Sequence, residues 1–203
     1  MKLYYSPGAC SLAPHIVLRE TGQTADLVRV DLATHRTEDG RDFMEINPKG
    51  QVPLLELDDG RRLSEGAVIA QYLGDRVDNP SLMPRPGTDE RYRLLEWQTF
   101  ITTELHKSFT PLFNAALDAD AKRVLSQILL KKLQWVDTQL AERRHLLGEA
   151  FSAADAYLFV VCGWARFVGL SIQGLSHLQR FLAEVGARPA VREALAAEGL
   201  LAA

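Results

Sequence analysis

The chain has 203 residues, 47% of them hydrophobic and 24% charged, with a formal net charge of −3. This is the balance of an ordinary soluble globular protein, long enough for one large domain or two small ones. Nothing in it draws the chain to nucleic acid or to an acidic membrane surface. The two cysteines, Cys10 and Cys162, lie far apart and show neither metal-ligand spacing nor a disulfide framework, which suits a reducing compartment. No basic-then-apolar leader opens the sequence, and its longest apolar run, around Tyr157 to Trp164, is too short to span a bilayer. A cytoplasmic protein is expected.

Residues 1–79 alternate strand and helix. Leu3 to Tyr5 is strand-like, Ser6-Pro7-Gly8 punctuates it as a loop, and Ser11 to Thr21 has a helical pattern stopped by Gly22. Asp26 to Leu32 alternates with period 2 and predicts a second strand. A polar stretch from Ala33 to Arg41 leads to a short helix over 42–46, which Asn47-Pro48-Lys49-Gly50 breaks. Val52 to Leu57, the Asp59-Gly60 turn and Arg61 to Ser64 read as a hairpin. Glu65 to Val77 reads as a helix, with Val68, Ile69, Tyr72 and Leu73 on its buried side.

Three prolines and a glycine over residues 78–87 mark a linker, placed at 80–87. Strand signals then vanish. A long helix from Thr88 or Asp89 to Phe109 carries the stripe Leu94, Trp97, Ile101 and Leu105. Asp120 to Arg144 repeats the pattern with Val124, Ile128, Leu133, Val136 and Leu140. Ser152 to Val168 is nearly all apolar and predicts the central buried helix, opened by a capping box of Ser152 and Asp155. Helices over 175–185 and 191–197 complete an all-helical half, 88–203.

Cys10 falls where a strand ends, a loop turns and a helix begins. Unpaired N–H groups and the positive end of the helix dipole favour a thiolate there. The bland reading, a small buried hydrophobe, suits Cys162 in its apolar run better than Cys10. Thr99, Thr103 and His106 share one side of the long helix, opposite its core stripe. Such a face is usually just solvated, but Thr and His are unusual choices for one. A Cys10/His106 couple is a plausible nucleophile arrangement. Ser64-Glu65-Gly66 opens a helix after a strand. It is either a plain N-cap with an acidic first turn or an anchor for the amine and carboxylate of a peptide-like ligand.

Five segments carry a resemblance: Tyr5 with Ser6 to Ser11, Asn47 to Pro53, Leu63 to Gly66, Thr103 to Lys107, and Phe151 to Leu158. In these, and over almost its whole length, the chain resembles the bacterial beta-class glutathione S-transferases. The resemblance implies an α/β plus all-α architecture: a thioredoxin-like N-terminal domain over 1–79, followed by an all-helical domain that contributes the electrophile pocket. It implies a homodimer that conjugates glutathione, as co-substrate, to a small hydrophobic electrophile, with no further cofactor and no metal. A cis Val52–Pro53 bond would present Val52 to the cysteinyl part of glutathione. Ser64, Glu65 and Gly66 would hold the γ-glutamyl end, and Cys10 and His106 would lie near the glutathione sulfur. Tyr5 would play a lesser part, and Thr103 and Glu104 would complete the binding set.

Two positions depart from the family pattern. His35 stands where members often carry a lysine that meets the glycyl carboxylate, and Thr99 where others carry an asparagine that reaches across the dimer. A neutral His35 weakens the first contact, and Thr99 is a shorter donor for the second. Two other activities fit the same residues: a glutathione-dependent thiol-disulfide transferase using Cys10, and a non-enzymatic carrier of apolar ligands.

Overall fold

The computed structural model describes residues 1–201. The last two positions of the expected helical half, 202 and 203, lie outside the described residues. The chain divides into two compact units, Met1–Asn79 together with the segment from Arg188 onward, and Pro80–Ala187.

The first unit is built on a five-stranded sheet. Its elements are β1 (Lys2–Tyr5), α1 (Leu12–Glu20), β2 (Asp26–Asp31), β3 (Arg36–Thr37), α2 (Phe43–Ile46), β4 (Leu54–Glu56), β5 (Arg62–Ser64) and α3 (Gly66–Gly74). The sheet order is β3-β2-β1-β4-β5. β1 and β2 are parallel, as the crossover through α1 requires, and the other pairs are antiparallel. Register follows the pleat. Leu3 pairs with Leu27 and Leu55, and both Leu3 and Leu55 are fully buried. The neighbouring Tyr4 points to the opposite face, where it packs with Val30, Phe43, Ile46, Val52 and Leu54.

The differences from the sequence reading have local causes. β3 is two residues long and sits in the polar stretch, too short to show a period. β4 starts at Leu54 because Pro53 has no N–H to give to a ladder. α3 buries Ile69 and Leu73, but Val68 is exposed at 46%. The Val52–Pro53 bond is cis, as the resemblance implied.

The second unit contains α4 (Asp89–Phe100), a π-helical turn over Ile101–His106, α5 (Lys107–Phe109), a 3-10 turn over Thr110–Phe113, α6 (Ala119–Gln139), α7 (Ala153–Gly163), a 3-10 turn over Trp164–Arg166 and α8 (Ser176–Gly186). The Leu94, Trp97, Ile101 and Leu105 stripe is buried as expected. α7 is buried along nearly its whole length, and Ser152 and Asp155 form the capping box. On α6 the reading needs correction. Leu133, Val136 and Leu140 are buried, but Val124 and Ile128 are exposed at 47% and 48%. Helical spacing locates an apolar face without saying what covers it. The segment read as a linker is tied down in this unit: Leu82 and Met83 are buried, and Leu82 O accepts from Ala153 N at 2.9 Å. Among the described residues no helix is long and apolar enough to cross a membrane.

The last helix, α9 (Pro189–Ala197), begins with proline at its first turn, where the missing N–H costs little. Its sequence pattern places it in the helical half, but it packs on α1 in the first unit. Three polar ties hold it there. Arg188 clamps both carboxylate oxygens of Glu20 at 2.7 and 3.0 Å. Glu198 Oε1 lies 2.9 Å from His15 Nδ1. Glu198 Oε2 accepts from Gly8 N at 2.9 Å.

Candidate functional site

In the first unit the loop from Ser6 to Ser11 joins β1 to α1 and carries Cys10. Ser11 Oγ braces it, accepting from Ser6 N and donating to Ser6 O, both at 3.2 Å. Gly8 turns with φ at 71°, a region where a side chain would be strained. The result is a half-buried Cys10 whose Sγ donates to Val52 O at 3.3 Å. Only a protonated sulfur makes that bond, so it acts against the helix terminus, which favours the thiolate. Pro53 and Gly66 adjoin the same place. A Cβ added to Gly66 would stand 3.6 Å from Pro53 Cγ and 4.0 Å from Cys10 O.

Glu65 precedes α3 with φ at 71°, uncommon for a residue with a side chain. Strain of this kind costs about 1–3 kcal/mol and clusters at functional sites. The plain-cap reading fails for Glu65, whose side chain makes no cap hydrogen bond. Its carboxylate turns instead to Lys49 Nζ at 2.9 Å, and the same ammonium donates to Ser64 Oγ at 3.0 Å. Lys49 was missed in the sequence, where it reads as one residue of a loop motif.

Tyr5 is buried, with its ring 6.2 Å from that of His15. Burial and then the Glu198 carboxylate push its phenol pKa up. His35 stands beside Gly50, next to Lys49 in the sequence. Its backbone has φ at 52°, its ring lies against Gly50, and its Nδ1 is buried without a hydrogen-bond partner. A side chain at Gly50 would be strained, since φ there is 63° and an added Cβ would come within 2.7 Å of Met44 Sδ and 3.0 Å of His35 Cε1.

In the second unit the polar face lies where α4 widens into the π-helical turn, a distortion frequent at functional sites. Thr99 and Thr103 are exposed, and Thr103 Oγ1 donates back to Thr99 O at 3.1 Å. Glu104 pairs with Lys132 through Oε2 at 2.9 Å. The same lysine also donates to Glu104 O and Ser108 Oγ. His106 is half-buried, with Nδ1 2.7 Å from the Tyr157 hydroxyl and its ring 4.8 Å from that of Trp164. In the sequence Tyr157 reads only as the start of an apolar run and as part of a motif. A tyrosine in an otherwise apolar buried helix is itself a signal, because its hydroxyl must find a partner.

A thioredoxin-like sheet unit with a thiol on its first loop, joined to a helical unit, defines a class of thiol-handling protein. Comparison with known proteins narrows it. Residues 8–76 match the model of the glutathione S-transferase N-terminal domain, and residues 114–197 that of the C-terminal domain. The glutathione S-transferase GstA of Escherichia coli O157:H7 is 48% identical over 200 residues, covering 98% of this chain and 100% of the relative. A ternary complex of BphK, a bacterial glutathione S-transferase, superposes with a TM-score of 0.96 at 52% identity, over 98% of this chain and 100% of that one. A sphingomonad glutathione S-transferase complexed with glutathione gives 0.94 at 46% identity, over 99% and 100%. The bacterial beta-class glutathione S-transferase of Sphingomonas chungbukensis gives 0.95 at 46% identity, with the same coverage. The chain belongs to the glutathione S-transferase family.

Proposed function

We propose that the protein conjugates reduced glutathione to hydrophobic electrophiles. The observation that carries this reading is Cys10 Sγ at 3.3 Å from Val52 O. That contact holds a thiol against the peptide group that the cysteinyl part of glutathione would meet. In the reaction the glutathione thiolate attacks an electrophilic carbon and a C–S bond forms. The bond to the leaving group breaks with its electron pair, and the thiol proton passes to solvent.

On this reading Cys10 and His106 support the glutathione sulfur, and Tyr5 has a lesser role. Val52 and Pro53 meet the cysteinyl part. The γ-glutamyl ammonium takes the place of Lys49 on Glu65, while Ser64 and the N–H of Gly66 hold its carboxylate. His35 serves the glycyl carboxylate, and Thr99, Thr103 and Glu104 are the helical unit's share. Glutathione is the co-substrate and no other cofactor is used. A cytoplasmic homodimer with a detoxifying role fits this reading. The exposed Val124, Ile128 and Trp135 on α6 support the dimer, because apolar side chains gathered on one helix mark association surfaces.

A second reading, thiol transfer, is favoured by the accessibility of Cys10. Its thiolate would attack a glutathione mixed disulfide, the S–S bond would break, and the released thiolate would take up a proton. A second glutathione would then free Cys10. Two assays decide. Saturable turnover of glutathione with a chloronitroaromatic compound supports conjugation, and its absence removes it. Reduction of a glutathione mixed disulfide that is lost in Cys10→Ala identifies the transferase instead.

A further inference from the structure

Tyr157 in α7 and His106 at the end of the π-helical turn are 51 residues apart in sequence, yet Tyr157 Oη lies 2.7 Å from His106 Nδ1. The tyrosine is buried, with 6% of its surface exposed. The imidazole is enclosed on two sides by aromatic edges: Trp164 at 4.8 Å and 71°, and the Tyr157 ring at 6.0 Å and 87°. Trp164 is in turn held edge-on by Phe109 at 5.9 Å. The ring of His106 thus has one orientation imposed by packing and one nitrogen engaged by a hydroxyl.

Acidity favours one direction for that hydrogen bond. A phenol O–H is a stronger acid than the N–H of a neutral imidazole, which favours the hydroxyl as donor and Nδ1 as acceptor. An imidazole that accepts at Nδ1 carries its proton on Nε2. We infer that Tyr157 is a positioning residue: it holds His106 as the Nε2–H tautomer, so that the histidine meets a ligand as a neutral hydrogen-bond donor. This deepens the conjugation reading and rests on it for its consequence. A donor aimed at a thiolate stabilises the attacking form of glutathione, whereas the opposite tautomer would present a lone pair to it.

The test reads the tautomer directly. Long-range 1H–15N correlation spectra of the full-length protein are recorded at a pH where the ring is neutral, with the His106 signals assigned by their loss in His106→Gln. A protonated Nε2 and a bare Nδ1 in the wild type are expected, with both nitrogens moving to averaged shifts in Tyr157→Phe. In conjugation assays the same variant should lose about ten- to a hundredfold in kcat, the scale of a misoriented group, with KM for glutathione within about twofold. A proton on Nδ1 in the wild type, or spectra unchanged by Tyr157→Phe, overturns the positioning role. An altered tautomer with kcat intact overturns its consequence for the reaction. Absence of any glutathione turnover in the wild type removes the conjugation reading, and with it that consequence, while the spectra of the wild type, which need no variant to fold, still decide the tautomer.

Discussion

Glu198 Oε1 and His15 Nδ1 lie 2.9 Å apart in a hydrogen bond, and both side chains are completely shielded from solvent. The same carboxylate holds the N–H of Gly8, two residues before Cys10. One side chain near the C-terminus therefore fixes both α1 and the loop that carries the thiol. Glu198→Ala removes the carboxylate that both the buried His15 ring and the Gly8 amide contact. Losing the partner of a buried hydrogen-bonding group costs about 1–3 kcal/mol, so the urea midpoint should fall. His15→Ala should cost less in the Glu198→Ala background than alone, because contacting residues couple by about 0.5–3 kcal/mol. Strictly additive losses would show that the pair does not act as a unit.

Asp155 is buried and accepts from Leu146 N, Ser152 N and Ser152 Oγ at 2.8, 2.8 and 2.6 Å. It therefore does more than cap a helix. Asp155→Ala strands two backbone donors, each worth about 1–3 kcal/mol, and should cost about 2–4 kcal/mol in denaturant unfolding. Burial pushes the Asp155 carboxyl pKa up against the pull of these donors. A group whose folded pKa lies above its unfolded one contributes most below the unfolded value, about 3.9 for Asp. That contribution is lost as pH rises through the folded pKa. The penalty of Asp155→Ala should therefore be larger at about pH 5 than at about pH 8, and the reverse order would contradict the assignment.

The two thiols should separate in alkylation. Burial alone drives the Cys162 pKa far above the ordinary thiol range, so its thiolate is scarce at mildly alkaline pH and reagent cannot reach it. Cys10 is half-buried at a loop. Iodoacetamide at about pH 8, near the free-thiol pKa, should add one carboxamidomethyl group, at Cys10, as read by peptide mass spectrometry. Labelling of Cys162 in the folded protein would show that α7 opens.

Glutathione affinity should depend on the Lys49–Glu65 contact at 2.9 Å. On the proposed reading the incoming ammonium would replace an existing exposed ion pair, itself worth about 0–1 kcal/mol. Glu65→Ala removes a charged partner worth about 1.5–3 kcal/mol, so Kd by calorimetry should rise about tenfold or more. Lys49→Met frees the carboxylate and should tighten binding by up to about fivefold. If Lys49→Met instead weakens binding severalfold, the lysine contacts glutathione directly.

Local pattern is strong wherever one face of an element is buried. The period-2 run at 26–32 and the Leu94-Trp97-Ile101-Leu105 stripe state their structure in the sequence, since alternation and helical spacing are backbone properties. The Ser6 to Ser11 loop announces a strand-to-helix turn in the same way, and with it the thiol of Cys10. Pairings across long stretches of chain leave no such mark. Only the fold brings Glu198 to Gly8 and His15, so α9 packs on α1 although its local pattern matches any helix of the helical half. The exposed Val124 and Ile128 on α6 show the same limit, because spacing names an apolar face and tertiary packing decides what covers it. The chemistry of the site divides likewise. Its residue types stand in the sequence, while the partners they touch (Lys49 on Glu65, Lys132 on Glu104, Tyr157 on His106) are chosen by three-dimensional proximity, which loop and helix geometry determine only once the whole unit has packed.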